Sequence, residues 1–308
     1  MSTLYTNKSS NVRKTWILMT SFFVLVTLLG FVLSRVFGSP LYLYVAFGLS
    51  IIMNIASYWF SDKMVLKMAG ANPIENRSDY PELWNIVENL SITAGLPMPK
   101  LYVIDDPAPN AFATGRNANH AVIAVTTGLL PLLNKSELEG VIAHELSHIG
   151  NKDMLVSTVV VVLAGVISIL ADIALRASFI GRGDGENKNA IFGIVLAIAA
   201  SILAPIAATI IRLAVSRQRE FLADASGALL TRYPEGLASA LQKIQNFPQP
   251  LQRQNTAIAH LYISNPLGAD NHYNKDEEGE QKVSWFSKMF MTHPPTSERV
   301  KALLENKS

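Results

Sequence analysis

The chain alternates between long uncharged apolar windows and polar segments. Thr15–Ser34 contains no Asp, Glu, Lys, Arg or His, and Val36–Ser61, with Pro40 near its start, contains none either. Met154–Ala171 and Asn189–Ile211 are two further uncharged windows. A helix needs about 20 mostly apolar residues to cross a bilayer, with a range of roughly 17–25. The pattern therefore predicts four transmembrane helices. The alternative for the last two windows is a buried helical hairpin in a soluble core. The first window is longer than the roughly 7–15 apolar residues of a signal peptide, and no A-x-A site follows it, so it reads as a retained anchor.

The polar segments carry shorter patterns. Leu83, Ile86, Val87 and Leu90 recur at helical spacing and predict a helix over 80–95. Leu101–Ile104 and Ala121–Thr126 are β-rich and bounded by Pro, Asp and Asn, which predicts two short strands. Residues 110–116 lie between them as an edge strand and turn. Ser136 and Glu139 have capping-box spacing, so a helix should start there and run to about Gly150. Residues 213–230 continue as a helix beyond the fourth window. Residues 268–282 are polar and read as a mobile loop. A last short helix is expected after Pro294-Pro295, because Pro is favoured at a first helical position.

Composition follows from the windows. Hydrophobic residues make up 49% of the 308 and charged residues only 16%, which excludes a disordered chain or a coiled coil as the main architecture. The net charge of +2 is too small for an electrostatic nucleic-acid binder. Lys and Arg also orient the chain. Lys8, Arg13, Lys14, Lys63, Lys67, Lys152, Arg212, Arg217 and Arg219 fall on one side of the four windows. Arg35, Arg176, Arg182 and Lys188 fall on the other, the last three diluted by Asp172, Asp184 and Glu186. The bias puts both termini in the cytoplasm. Four parts result: a tail with two spans over 1–61, the first part of a polar domain over 62–153, a hairpin over 154–211, and the second part of that domain over 212–308.

There is no cysteine, so any metal must be held by His, Asp or Glu. His144-Glu145-Leu146-Ser147-His148 is an H-E-x-x-H pattern inside the predicted helix. Residues i and i+4 share one helix face, so two imidazoles can bind one ion while the intervening Glu reaches a water beside it. A catalytic zinc site usually has three protein ligands and an open position. Glu220 is the best third candidate; Asp224 stands four residues on, and one of the two can ligate while the other orients a ligating His. His120, His260 and His272 have no partner at ligand spacing and read as surface residues.

The order of blocks resembles the HtpX-type membrane zinc metalloproteases, related to the CAAX prenyl-protein proteases. The blocks are two spans, Asn110-Ala111-Phe112-Ala113-Thr114-Gly115, His144–His148, two spans, Ser216–Asp224, and Thr292-His293-Pro294-Pro295. The least family-like stretch is 248–284. The resemblance implies a mainly α, integral membrane protein with four transmembrane helices and a cytoplasmic zincin-like, gluzincin-like domain carrying a small β-sheet. It implies one Zn2+ per chain on His144, His148 and Glu220, Glu145 as general base, and Asp224 as the acid orienting a ligand. It implies that Asn110, Ala111, Phe112 and Ala113 lie beside the cleft and pair with an extended substrate, and that His293 stands near the site. His293 and Arg299 are the two candidates for stabilising the oxyanion.

The implied activity is zinc-dependent endopeptidase cleavage of damaged or misfolded membrane proteins, and of unfolded polypeptide, at the cytoplasmic face of the cell membrane. That is a quality-control and stress-response role. The rivals are a site-specific CAAX-type processing protease, and a non-catalytic metal-stabilised scaffold or transporter. A structural metal site has no use for a base such as Glu145. A transporter predicts polar groups within broken spans, and the four windows contain almost none.

Overall fold

The computed structural model describes residues 4–180, 217–247, 249–253, 255, 257–265 and 294–305. The first two apolar windows form α1 (Leu4–Phe37) and α2 (Leu41–Trp59). The turn between them uses Gly38 at φ 67 and Pro40 as the residue before α2. The two helices pack side by side, with Phe23 edge-on to Phe47 at 5.5 Å between ring centroids. Their outer faces leave Trp16, Ile17, Val24, Leu28, Val45, Ile52 and Ile55 exposed. An exposed apolar surface on long helices suits lipid rather than water. Ser10–Arg35 and Leu41–Trp59 are both long and apolar enough to cross a membrane.

A small mixed sheet and a group of helices follow. They are α3 (Ser61–Ala69), β1 (Ala71–Pro73), α4 (Pro81–Ala94), β2 (Lys100–Ile104), β3 (Ala111–Thr114), β4 (Val122–Thr126), α5 (Leu129–Leu132) and α6 (Lys135–Asn151). After α6 come α7 (Asp153–Ile180), α8 (Arg217–Thr231), α9 (Pro234–Gln245) and α10 (Thr296–Glu305). The sheet order is β1-β2-β4-β3. β2 and β4 run parallel, and the other two pairs are antiparallel. β3 is thus an edge strand. The main core joins the sheet to α4, α6, α9 and α10 through Leu83, Ile86, Ile123, Val125, Val141, Ile142, Leu146, Leu237, Leu241 and Val300. A second cluster packs α1 against α7 through Met19, Phe22, Val26, Leu155, Val159, Leu163 and Ile167.

The expectation of four spans is corrected to two among the described residues. The third window forms α7, but its first half is buried against protein: Val156, Val159, Val160, Leu163 and Ile167 are all at most 3% exposed. α7 also follows α6 after an 83° bend, so the pair would count as a third span only as one broken helix. The fourth window and the 268–282 loop lie outside the described residues. The cap of α6 is corrected too. Asn134, not Ser136, is the N-cap: its side chain accepts from Glu137 N–H, and Glu137 reaches back to Asn134 N–H. Both pairs fit the same spacing rule. Asn134 supplies the extended backbone that a cap needs.

Candidate active site

α6 and α8 cross face to face and carry the reactive groups. On α8 the residues at positions 220, 223, 224 and 227 recur at helical spacing and form its buried face. Two of these are small, and that allows a close approach. A Cβ on Gly227 would stand 2.9 Å from the His144 backbone N. Glycine there brings Glu220, two turns earlier, up to the imidazoles of α6.

The donor atoms converge. His144 Nε2 and His148 Nε2 are 3.1 Å apart, His144 Nε2 and Glu220 Oε2 3.8 Å, and His148 Nε2 and Glu220 Oε1 3.6 Å. Donors held at about 2.0–2.2 Å around a tetrahedral zinc stand about 3.4 Å from one another. The three residues thus form a group that could hold a metal ion, and a two-imidazole, one-carboxylate set suits zinc. Charge agrees. The carboxylates of Glu145, Asp153, Glu220 and Asp224 outnumber the guanidiniums of Arg219 and Arg299, and the negative surplus that raises His148 here is one a divalent cation would balance.

Each imidazole is oriented by a carboxylate through its other nitrogen. His144 Nδ1 lies 2.9 Å from Asp224 Oδ1. Asp224 accepts from Arg299 Nε at 2.8 Å and Nη2 at 2.6 Å. Burial disfavours charge on Asp224, yet Arg299 outweighs it and holds the carboxyl at about 2. Burial pushes His144 down to about 4, so its ring is neutral at neutral pH. His148 Nδ1 lies 3.2 Å from Asp153 Oδ2. There burial also opposes the charge, but Asp153 and Glu220 overcome it and raise His148 to about 9. Asp153 was missed in the sequence because its signal is one acidic residue five places after His148. No helical spacing flags it: the chain turns at Lys152, whose φ is 58, and swings Asp153 back toward the ring.

Glu145 is buried beside this group. Burial, reinforced by Glu220, raises its carboxyl to about 7 despite His148 and a hydrogen bond from the Ala113 backbone. The cleft over it is lined by Ala113, His144, Glu145, His148, Glu220 and His260, among others.

The remaining expected residues fall in two groups. Of Asn110, Ala111, Phe112 and Ala113, Ala113 lines the cleft; Ala111 and Phe112 precede it on β3, and Asn110 stands just before that strand. Asn110 clamps the segment after the 3-10 turn at Ala259–Leu261: its Nδ2 donates to Ser264 C=O at 3.0 Å, and Ser264 N–H donates to its Oδ1 at 3.3 Å. Phe112 is buried edge-on to Tyr262. Ile263 N–H donates to Ala111 C=O at 2.9 Å. Part of the 248–284 stretch is therefore built into the cleft wall. His260 belongs to it and is corrected from a surface residue to a buried one, 5% exposed. Arg299 is corrected as well. It is 1% exposed, and its donors are turned to Asp224 and to Ile263 C=O at 3.0 Å, not to the cleft. An oxyanion role for it is not retained. His120 is exposed as expected. His293 and His272 lie outside the described residues.

Comparison with known proteins agrees with this geometry. Residues 77–307 match the family described as Peptidase family M48. A "Protease HtpX homolog" of Tropheryma whipplei (strain Twist) is 45% identical over 302 residues, covering 98% of both chains. A second protein of that name, from Dictyoglomus turgidum, is 45% identical over 305 residues, covering 98% of this chain and 94% of its own. Among solved structures, the crystal structure of S. mikatae Ste24p matches with a TM-score of 0.50 at 19% identity. That match covers 94% of this chain and 66% of the other. At that identity the likeness speaks for the fold alone.

Proposed function

The chain belongs to peptidase family M48 and is an HtpX-type membrane metalloprotease; from that premise we propose that it is a zinc endopeptidase acting on damaged or misfolded membrane proteins at the cytoplasmic membrane surface. The observation that carries the chemistry is the convergence of His144, His148 and Glu220 with Glu145 buried beside them.

In this reading His144, His148 and Glu220 hold one zinc ion. Bound there, zinc supplies Lewis acidity toward a substrate carbonyl and an attacking water. The rest falls to side chains and backbone. Glu145 takes the proton of the attacking water and delivers it to the leaving amine. Burial makes this carboxyl a stronger base than a free one, which suits taking up the proton. Asp224 and Asp153 hold the two imidazoles in the tautomer that leaves Nε2 free toward the centre. Arg299 keeps Asp224 ionised and fixed. A substrate lies extended along β3, adding a strand through main-chain bonds and so tolerating many side chains. Because Ile263 N–H already occupies Ala111 C=O and the Ala113 N–H is turned to Glu145, that strand takes its place by displacing the 258–264 segment.

Sidedness rests on charge. Lys8, Arg13 and Lys14 precede the first span, and Lys63 and Lys67 follow the second, whereas Arg35 is the one basic residue close to the turn between them. This reading keeps the division into 1–61, 62–153, 154–211 and 212–308, with the catalytic parts on the cytoplasmic side. The test is reconstitution in sealed proteoliposomes with an unfolded membrane protein. Cleavage should stop with a chelator, return with zinc, and run in vesicles that expose the 62–153 segment. Cleavage only in vesicles that hide that segment would overturn the sidedness. Cleavage indifferent to chelator would overturn the zinc chemistry.

A further inference from the structure

Asp153 is itself held by a residue of the first membrane helix. Asn11 lies in the early turns of α1, just before the apolar window, and is 2% exposed. Its Nδ2 donates to Asp153 Oδ1 at 2.6 Å and to Asn151 C=O at 3.1 Å. An amide NH2 has two hydrogens, and both acceptors sit at the α6–α7 bend. One, Asn151 C=O, belongs to the last turn of α6, where carbonyls lack helical partners. The other is the carboxylate whose second oxygen meets His148 Nδ1 at 3.2 Å. Arg219 Nε, one residue before Glu220, lies 3.8 Å from the same Asp153 oxygen that Asn11 contacts. The chain of contacts Asn11–Asp153–His148 thus runs from a membrane helix to a metal-binding imidazole. Packing keeps it in register: Met19, Phe22 and Val26 of α1 interlock with Leu155, Val159 and Leu163 of α7.

We propose that Asn11 is a positioning residue of the metal centre: by fixing Asp153 it sets the orientation of the His148 ring, so that the seating of the first membrane helix governs metal affinity. The proposal rests on the zinc reading above. A carboxylate with both oxygens engaged cannot swing away from the ring. Released from Asn11, Asp153 keeps Arg219 as its partner and can rotate toward it. Loss of the carboxylate partner itself typically weakens metal binding 10–100-fold, and loosening it through Asn11 falls at the lower end of that range. Anything that shifts α1 along α7, a bound lipid or a cut in the tail, would then act on the same equilibrium.

The test uses the full chain in detergent with Asn11→Leu, Asn11→Ser, Asp153→Asn, the Asn11→Leu/Asp153→Asn pair and His148→Gln. Zinc affinity is read by competition with a chromophoric chelator, geometry by the visible spectrum of the cobalt-substituted protein, and folding by thermal melting. Asn11→Ser keeps a hydroxyl too short to reach both acceptors, and it serves if the leucine variant does not fold. The expected result is about a tenfold loss of zinc affinity and a changed cobalt spectrum for either Asn11 variant. In the Asp153→Asn background the Asn11 change should add little. Zinc affinity and cobalt spectrum equal to wild type, with only the melting point lowered, would overturn the proposal. So would losses that multiply in the double variant. If His148→Gln binds zinc as tightly as wild type, the metal-centre reading itself fails, and the inference with it.

Discussion

His144 Nδ1 stands 2.9 Å from Asp224 Oδ1, a contact between a residue of α6 and one of α8. It fixes the ring from behind, while Nε2 faces His148 and Glu220. Replacing Asp224 by Asn keeps the shape and removes the charge. Zinc affinity should fall 10–100-fold, as for other carboxylate partners of metal-binding histidines. Arg299→Lys should act in the same direction. An ammonium is a point charge and cannot replace a planar fork that grips both Asp224 oxygens and the Ile263 carbonyl. Chelator competition on both variants measures this.

Gly227 is where the two helices meet most closely. Gly227→Ala introduces a Cβ 2.9 Å from the His144 backbone N. That is too close for backbone to absorb, so α8 must move outward. Overpacking of this kind costs about 1–3 kcal/mol. The shift also carries Glu220 away from the imidazoles. The expected outcome is a lower melting point together with weaker zinc binding. At Gly48, where a Cβ would meet nothing within 4 Å, alanine should leave zinc binding unchanged.

The cap of α6 sets a pH dependence away from the metal. Burial would raise the Glu137 carboxyl, but Lys243, Ser239 and the Asn134 N–H outweigh it and hold it below its ordinary value. A depressed carboxylate adds stability above the unfolded-state value of about 4.3 and loses it as pH falls through the lower folded-state value. The wild type should therefore exceed Glu137→Gln in stability at neutral pH, and the gap should close under acid. Asn134→Ala should cost about 1 kcal/mol. Melting curves across pH check both.

How much of this the sequence carries differs from element to element. α4 follows from its apolar period, β2 and β4 from β-rich runs bounded by turn residues, and α6 from a capping-box spacing, because each of these signals is local in the chain. His144, Glu145 and His148 are legible because one turn of one helix supplies all three. Glu220 and Asp224 are legible as a pair for the same reason, but their meeting with α6 depends on the close approach at Gly227, which lies on the same face and has no side chain to announce a contact. Asp153 and Asn11 are not legible. One is returned by a turn with a positive φ at Lys152, and the other arrives from 140 residues away. The buried position of His260 was hidden as well, since the stretch around it lacks any period and gains its shape from Asn110 and Ala111. Met154–Ala171 did not show in the sequence that protein covers its first half, because an apolar run is the same whether lipid or α1 covers it.

The most direct test of the account compares wild type with Glu145→Gln, both purified in detergent without chelator, measuring bound zinc and cleavage of an unfolded substrate on the same samples. The account predicts about one zinc per chain in both proteins and cleavage in the wild type alone. Cleavage by Glu145→Gln at the wild-type rate, with zinc bound, would contradict it.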